Sequence, residues 1–173
     1  MSRPDTDEEL MDAVRDGNEA AYVTLFERHR ASLYGYALRM TRRPELADDA
    51  FQETFLRVHR ARATWTATSG SFRSWLFRIC TNTLRDRARS SARRPEVLGD
   101  AWEPFVHPNH TDRIALEQAL ALLPENLRDA FLLTAVEGLD HNEVAAALDI
   151  SPDNARARAS RARTKLRELL EPS

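Results

Sequence analysis

Leu139-Asp140-His141-Asn142-Glu143-Val144-Ala145-Ala146-Ala147-Leu148-Asp149-Ile150-Ser151-Pro152-Asp153-Asn154, followed by Arg156, Arg158, Arg161, Arg163, Lys165 and Arg167, is the stretch that decides the fold. It reads as a helix-turn-helix with a basic second helix. Asp140 and Glu143 have capping-box spacing: the Asp oxygen accepts from the third helical N–H and the Glu side chain reaches back, so the first helix starts at His141. Val144, Ala147 and Leu148 fall on one face of it. Asp149-Ile150 then connects to Ser151, an N-cap, and Pro152 takes the first helical position, where its missing N–H costs nothing.

At 100° per residue the second helix separates into two faces. Ala155, Ala159, Ala162, Leu166, Leu169 and Leu170 form an apolar arc; Arg156, Ala157, Ser160, Arg161 and Thr164 share the opposite side. Arg pairs bidentately with guanine edges, Ser donates or accepts, and small residues let a helix approach the bases. Asn154 stands in the first turn of this helix, and Arg158, Arg163, Lys165 and Arg167 are placed for phosphates, which give affinity without sequence information. An arginine-rich helix alone reads equally well as a solvated basic surface. The capped turn ahead of it favours DNA, in the major groove.

The net charge of −2 conceals alternation along the chain. Residues 1–53 hold seven bases and twelve acids, residues 54–94 ten bases and one acid, residues 95–151 two bases and eleven acids, and residues 152–173 six bases and three acids. Two basic blocks separated by an acidic stretch predict two nucleic-acid contacts, with acidic surfaces turned to a protein partner or away from DNA. The 173 residues, 42% of them hydrophobic, suffice for one or two small cores. No apolar run reaches membrane-spanning length and Met1–Asp5 lacks the apolar core of a signal peptide, so a cytoplasmic protein is expected. The single cysteine, Cys80, excludes an internal disulfide and reads as a small packed residue. His107 and His110 have a metal-like spacing without a second pair, so no metal and no cofactor are expected.

Breakers divide the rest. Thr6 and Glu9 form a second capping box, opening a helix that runs through Arg15 and ends at Gly17-Asn18. Glu19 to Met40 repeats apolar residues at three- and four-residue steps, and Pro44 opens a helix to about Arg62. Ala63 to Gly70 reads as a loop around Trp65, and Ser71 starts a fourth helix that ends near Arg93-Arg94-Pro95. Residues 95–111 hold three prolines and no periodicity, a flexible linker; helices Arg113–Leu123 and Pro124–Gly138 precede the helix-turn-helix. No strand pattern appears. The expected architecture is all-α: a helical domain over 1–94, a linker over 95–111 and a second domain over 112–173.

Three stretches carry a resemblance: Asp48-Asp49-Ala50-Phe51-Gln52-Glu53-Thr54-Phe55-Leu56-Arg57-Val58, then Phe72-Arg73-Ser74-Trp75-Leu76-Phe77-Arg78-Ile79-Cys80-Thr81-Asn82, and Leu122-Leu123-Pro124 through Glu137-Gly138-Leu139 into Ser160-Arg161-Ala162-Arg163. In this order the chain resembles bacterial sigma factors of the extracytoplasmic-function class, within the sigma-70 family. Such factors bind core RNA polymerase, direct promoter-specific initiation, and are often held inactive by an anti-sigma factor. The resemblance implies polymerase binding by Asp48, Asp49, Gln52, Glu53 and Leu56. The residues agree: Asp49, Gln52, Glu53 and Leu56 lie at i, i+3, i+4 and i+7, a polar stripe with a Leu in it, opposite Ala47, Ala50, Phe51, Thr54 and Val58.

The second stretch implies recognition of the minus-ten promoter element, with the loop at 63–70 resembling a base-capturing loop. Asn82 matches a position contacting this element; Arg73, Arg78, Arg85, Arg87 and Arg89 are candidates for phosphates, and Trp65 for stacking on an unpaired base. Trp75, Phe72 and Phe77 recur at helical spacing and read as core. The third stretch implies minus-thirty-five recognition by Asn154, Arg156, Ala157, Arg158, Ser160, Arg161, Arg163 and Lys165. Here Ala155 and Ala159 replace larger aliphatics, and Ala157 removes a hydroxyl common in the family. His59 stands where Trp is frequent.

No glycine-rich phosphate loop, nucleophile motif or metal cluster is evident, so the chain reads as a non-enzyme, with polymerase performing the chemistry. The alternatives are an autonomous dimeric helix-turn-helix regulator at a palindromic operator, and a helical interaction protein with basic faces. Neither requires the 48–58 stripe.

Overall fold

Capping chemistry sets where the helices begin. The computed structural model describes residues 5–67, 70–93 and 111–171. In α1 (Asp7–Arg15) Thr6 Oγ1 accepts from Glu9 N–H at 3.2 Å while Thr6 N–H donates to Glu9 Oε2 at 2.8 Å, so the box read from the sequence forms. Asn18 caps α2 (Glu19–Thr41), accepting from Ala21 N–H, after Gly17 turns the chain at φ +96°. Pro44 opens α3 (Pro44–Arg60), a 3-10 turn follows over Arg62–Thr64, and Ser71 Oγ accepts from Ser74 N–H at the start of α4 (Phe72–Arg93). The C-terminal unit contains α5 (Thr111–Leu122), α6 (Glu125–Phe131), α7 (His141–Leu148) and α8 (Pro152–Leu170). Among the described residues there is no strand. The linker expected at 95–111, apart from Thr111, and the His107/His110 pair lie outside the described residues.

One helix departs from expectation. The sequence predicts a single helix from Pro124 to Gly138, but Leu132–Val136 form a π turn, in which Glu137 N–H donates to Leu132 O at 3.0 Å; a bond across six residues from Leu139 N–H to Leu133 O, also 3.0 Å, closes the end. Thr134 bonds back to Ala130 O at 2.8 Å, competing with regular helix geometry, and Gly138 at φ +70° supplies the left-handed exit.

In the N-terminal unit α2 packs on α3, α3 on α4, and α1 lies across α2 and α4. Met11, Leu25, Leu33, Tyr36, Phe72, Leu76 and Phe77 are fully buried, each contributing roughly 1.5–3 kcal/mol of transfer free energy. Cys80 is fully buried as anticipated, and desolvation pushes its thiol up to about 12, leaving it inert. In the C-terminal unit α8 packs against α5, α6 and α7. The two units also touch: α7 lies on α4, α5 and α6 reach α2, and buried residues of both merge into one apolar cluster.

Candidate nucleic-acid and partner interfaces

The helix-turn-helix forms as its capping residues dictate. Asp140 Oδ1 accepts from Glu143 N–H and Asp140 N–H donates to Glu143 Oε2, both at 2.8 Å; Asp149 turns the chain in the left-handed region at φ 56°; Ser151 Oγ accepts from Asn154 N–H at 3.1 Å. Ala155, Ala159, Ala162 and Leu166 are buried, while Arg156, Ser160, Arg161, Arg163 and Lys165 are exposed. Ala155 and Ala159, small where larger aliphatics are usual, are completely buried. Two arc residues behave otherwise. Leu169 and Leu170 are 40% and 43% exposed. Asn154 and Ala157 are half-buried, and Asn154 Oδ1 accepts from Arg158 Nε at 3.2 Å, fixing that guanidinium near the first turn. Arg156 keeps only an exposed contact to Asp153 at 3.7 Å, worth little in water.

Along α4, Arg78, Asn82, Arg85 and Arg89 fall at i, i+4, i+7 and i+11, a single stripe. Arg78, Asn82 and Arg89 are exposed. The sequence treats the five arginines of this helix as equals; its geometry does not. Arg87 lies off the stripe, 3.6 Å from Asp49, and Arg73 also lies off it, facing the C-terminal unit. Trp65 is not the exposed stacking platform that its loop position predicts. It is 1% exposed, its ring centroid 6.0 Å from Phe72 and 5.4 Å from Trp75, so it is a core residue and cannot stack on a base without leaving the core. The loop position suggested exposure; the aromatic neighbours on α4 capture the ring instead. Phe72 and Phe77 are buried and Trp75 is half-buried, as their spacing predicted.

Sequence reading missed two cations beside Asn82. Arg57 and Arg60, with Ala61, Ile79 and Asn82, line an open hollow of about 400 Å³ between the end of α3 and the middle of α4. An amide, guanidinium groups and an apolar wall are the donor set that an unstacked base requires. Arg57 is held in place by Asp86 at 2.9 Å and Glu53 at 3.1 Å, and these carboxylates raise its pKa. The signal was present in the basic block at 54–94.

On α3 the polar stripe stands clear. Asp48, Asp49 and Gln52 are exposed, Glu53 is half-buried against Arg57, and Leu56 is 43% exposed. Behind them Ala47, Ala50, Thr54, Phe55 and Val58 are buried, and Phe51 packs edge-on against Phe26 and Phe55. His59 replaces the expected Trp by packing edge-on to Tyr22 at 5.2 Å, with Glu19 3.6 Å away.

Asp129 is the buried acid of the C-terminal unit. Burial pushes its carboxyl up to about 6 from 3.8, against the Ala130 N–H at 2.6 Å and Arg85 at 3.7 Å, which favour the charged form. The folded carboxyl therefore holds its proton more tightly than the unfolded one. The resulting stability is complete below pH 3.8 and is lost as pH rises through about 6. Asp129→Asn should remove that loss, making the variant more stable than the parent at neutral pH by at most roughly 3 kcal/mol, with the gap closing toward acid. Urea unfolding across that pH range measures it; a pH-independent gap contradicts the assignment.

Residues 25–94 match the sigma-70 region 2 family model, and residues 113–166 match the sigma-70 region 4 model. The chain belongs to the sigma-70 family. It is 37% identical over 166 residues to RNA polymerase sigma factor CarQ of Myxococcus xanthus, covering 92% of this chain and 95% of that one. It is 34% identical over 180 residues to the ECF RNA polymerase sigma factor SigE of Mycolicibacterium smegmatis, covering 95% and 69%. Among solved structures, CnrH in complex with the cytosolic domain of CnrY superposes at TM-score 0.74 with 31% identity, covering 96% and 97%. RpoE of Bartonella quintana, in complex with the anti-sigma factor NepR, shares the fold at TM-score 0.71 and 23% identity, covering 86% and 96%. These relatives place the sigma factor in the extracytoplasmic-function class, whose members act with core RNA polymerase in promoter-specific initiation rather than as enzymes. Among the described residues no helix is long and apolar enough to cross a membrane.

Proposed function

We propose the following division of labour within this sigma factor. The α3 stripe of Asp48, Asp49, Gln52, Glu53 and Leu56 binds core RNA polymerase. The α4 stripe and the hollow beside Asn82 take the minus-ten element, with Arg78, Arg85 and Arg89 on phosphates and Arg57 and Arg60 bordering an unstacked base. Arg85 is freed for this contact by release from Asp129, and Arg73 and Arg87 join once Glu137 and Asp49 release them. The exposed face of α8 reads the minus-thirty-five element: Arg156, Ala157, Ser160 and Arg161 meet the bases while Asn154, Arg158, Arg163 and Lys165 set the register on phosphates. Residues 1–94 and 112–173 are the two working units, joined by 95–111. The chain works in the cytoplasm without a cofactor, polymerase supplies the catalysis, and an anti-sigma factor holds it inactive, as relatives solved in complexes suggest.

The observation that carries this reading is the exposed Leu56 within a polar stripe on a helix whose other face is fully packed. An autonomous dimeric regulator has no use for that surface. Leu56→Asp should weaken association with core polymerase by roughly 100-fold or more, since it places an unpaired charge in the contact. Its thermal unfolding should match the parent, because the position is solvent-exposed. Unchanged polymerase binding places the interface elsewhere.

A further inference from the structure

α1 lies ahead of the residues that match the region 2 model, 25–94, yet it is bound to both elements that border the hollow beside Asn82. Glu8 Oε1 accepts from Phe72 N–H at 2.9 Å, so the first N–H of α4 is capped by a carboxylate from another helix, where the helix dipole favours negative charge. Ile79 and Asn82 stand about 10 and 15 Å further along that helix at 1.5 Å per residue. At the other end of α1, Arg15 Nη1 donates to Trp65 O at 3.3 Å. Trp65 closes the 3-10 turn that leaves Ala61: Trp65 N–H donates to Arg62 O at 3.3 Å, and Ala61 O accepts from Thr64 N–H at 2.9 Å and from Thr64 Oγ1 at 2.7 Å. α1 itself is fixed to α2, since Asp7 Oδ2 lies 2.8 Å from His29 Nε2 and its Oδ1 accepts from Arg28 Nη1 at 3.2 Å.

We propose that Glu8 and Arg15 are positioning residues for minus-ten recognition: through Phe72 and Trp65 they set the two walls of the hollow relative to each other and so determine how selectively it holds an unstacked base. The proposal deepens the reading of that hollow given above and rests on it. Neither side chain lines the hollow, whose walls are Arg57, Arg60 and Ala61 on one side and Ile79 and Asn82 on the other. Leu10, Met11 and Val14 are buried and suffice to dock α1, but apolar burial is non-directional. Hydrogen bonds to one N–H and one carbonyl fix its register and orientation as well. Selectivity in the hollow depends on donors meeting base edges within hydrogen-bond distance. A displaced wall therefore costs discrimination before it costs the fold.

Holoenzyme reconstituted from the full chain and host core polymerase is used to select duplexes from a promoter pool with randomised minus-ten and minus-thirty-five elements, and the bound DNA is sequenced. Asn82→Ala marks the minus-ten position that the hollow reads, as the position whose base preference it relaxes. Glu8→Ala combined with Arg15→Ala should relax the preference at that same position by roughly fivefold, the loss of one weak base contact, while minus-thirty-five preferences stay those of the parent. Glu8→Gln, which keeps an acceptor for Phe72 N–H, should retain the parent's preference. Arg15→Ala alone, at a side chain 37% exposed, keeps the fold and should relax the marked position in part, which covers a double variant that fails to fold. A purely structural role lowers the amount of active protein without altering the base preferences of what binds. Preferences unchanged at the marked position, or relaxed equally in both elements, overturn the proposal. Failure of the underlying reading appears separately, as an Asn82→Ala holoenzyme with unaltered minus-ten preferences.

Discussion

Arg156→Ala combined with Arg161→Ala should weaken binding to the minus-thirty-five element by about 30-fold to 2.5 × 10⁴-fold, taking each bidentate base contact as about 1–3 kcal/mol. Both side chains are exposed on the face of α8 opposite the buried Ala155, Ala159 and Ala162, so their loss removes no packing and the melting temperature should not move. Association with core polymerase should be intact, since that surface lies on α3. Footprinting of the upstream element by the reconstituted holoenzyme, beside a polymerase pull-down, measures both. Equal loss of both in a folded variant contradicts the separation of roles. The same experiment distinguishes base reading from charge: removing only phosphate contacts lowers affinity for all sequences alike, whereas removing base contacts relaxes discrimination between them.

Trp65→Ala should destabilise the protein by about 3–5 kcal/mol, the usual cost of emptying a large aromatic site in a core. For a chain of this length that is roughly 6–20 °C in melting temperature. The indole lies against Phe72 and Trp75 at the junction of the 3-10 turn with α4, and Arg15 Nη1 ties down its backbone carbonyl at 3.3 Å. Its Nε1 is buried without a hydrogen-bond partner, so Trp65→Phe forfeits no polar contact and should cost much less. Thermal unfolding of the two variants decides the matter. Loss of promoter opening with an unchanged melting temperature would mean that the ring serves the base rather than the core.

The contrast between these two sites shows where the sequence is legible. Helix starts are local chemistry, and Thr6, Asp140, Ser151, Pro44 and Pro152 mark them in the structure as they do in the sequence, while Asn18, read from the sequence as part of the end of the first helix, also caps the second. The faces of α3 and α8 follow from helical periodicity, and most buried and exposed residues fall where the period puts them; Leu169 and Leu170, exposed on the apolar arc, and Ala157, half-buried on the outward face, depart from it. What the sequence does not reveal is tertiary. Trp65 sits among loop-forming residues, and only the aromatic cluster on the facing helix makes it core. The π turn at Leu132–Val136 follows no residue pattern that separates it from ordinary helix. Pairing of Arg73 with Glu137, and of Arg39 with Glu117, joins residues more than sixty positions apart, so the acidic stretch could be recognised as a partner surface without showing that its partner is this same chain.

Delivery of core RNA polymerase to promoters by this chain is measured by mixing the purified protein with core polymerase from its own host near physiological salt and resolving the product by size. A one-to-one complex that initiates at discrete promoters is the expected product. A folded chain, free of inhibitor, that forms no complex with active core polymerase yet binds a palindromic operator as a dimer contradicts it.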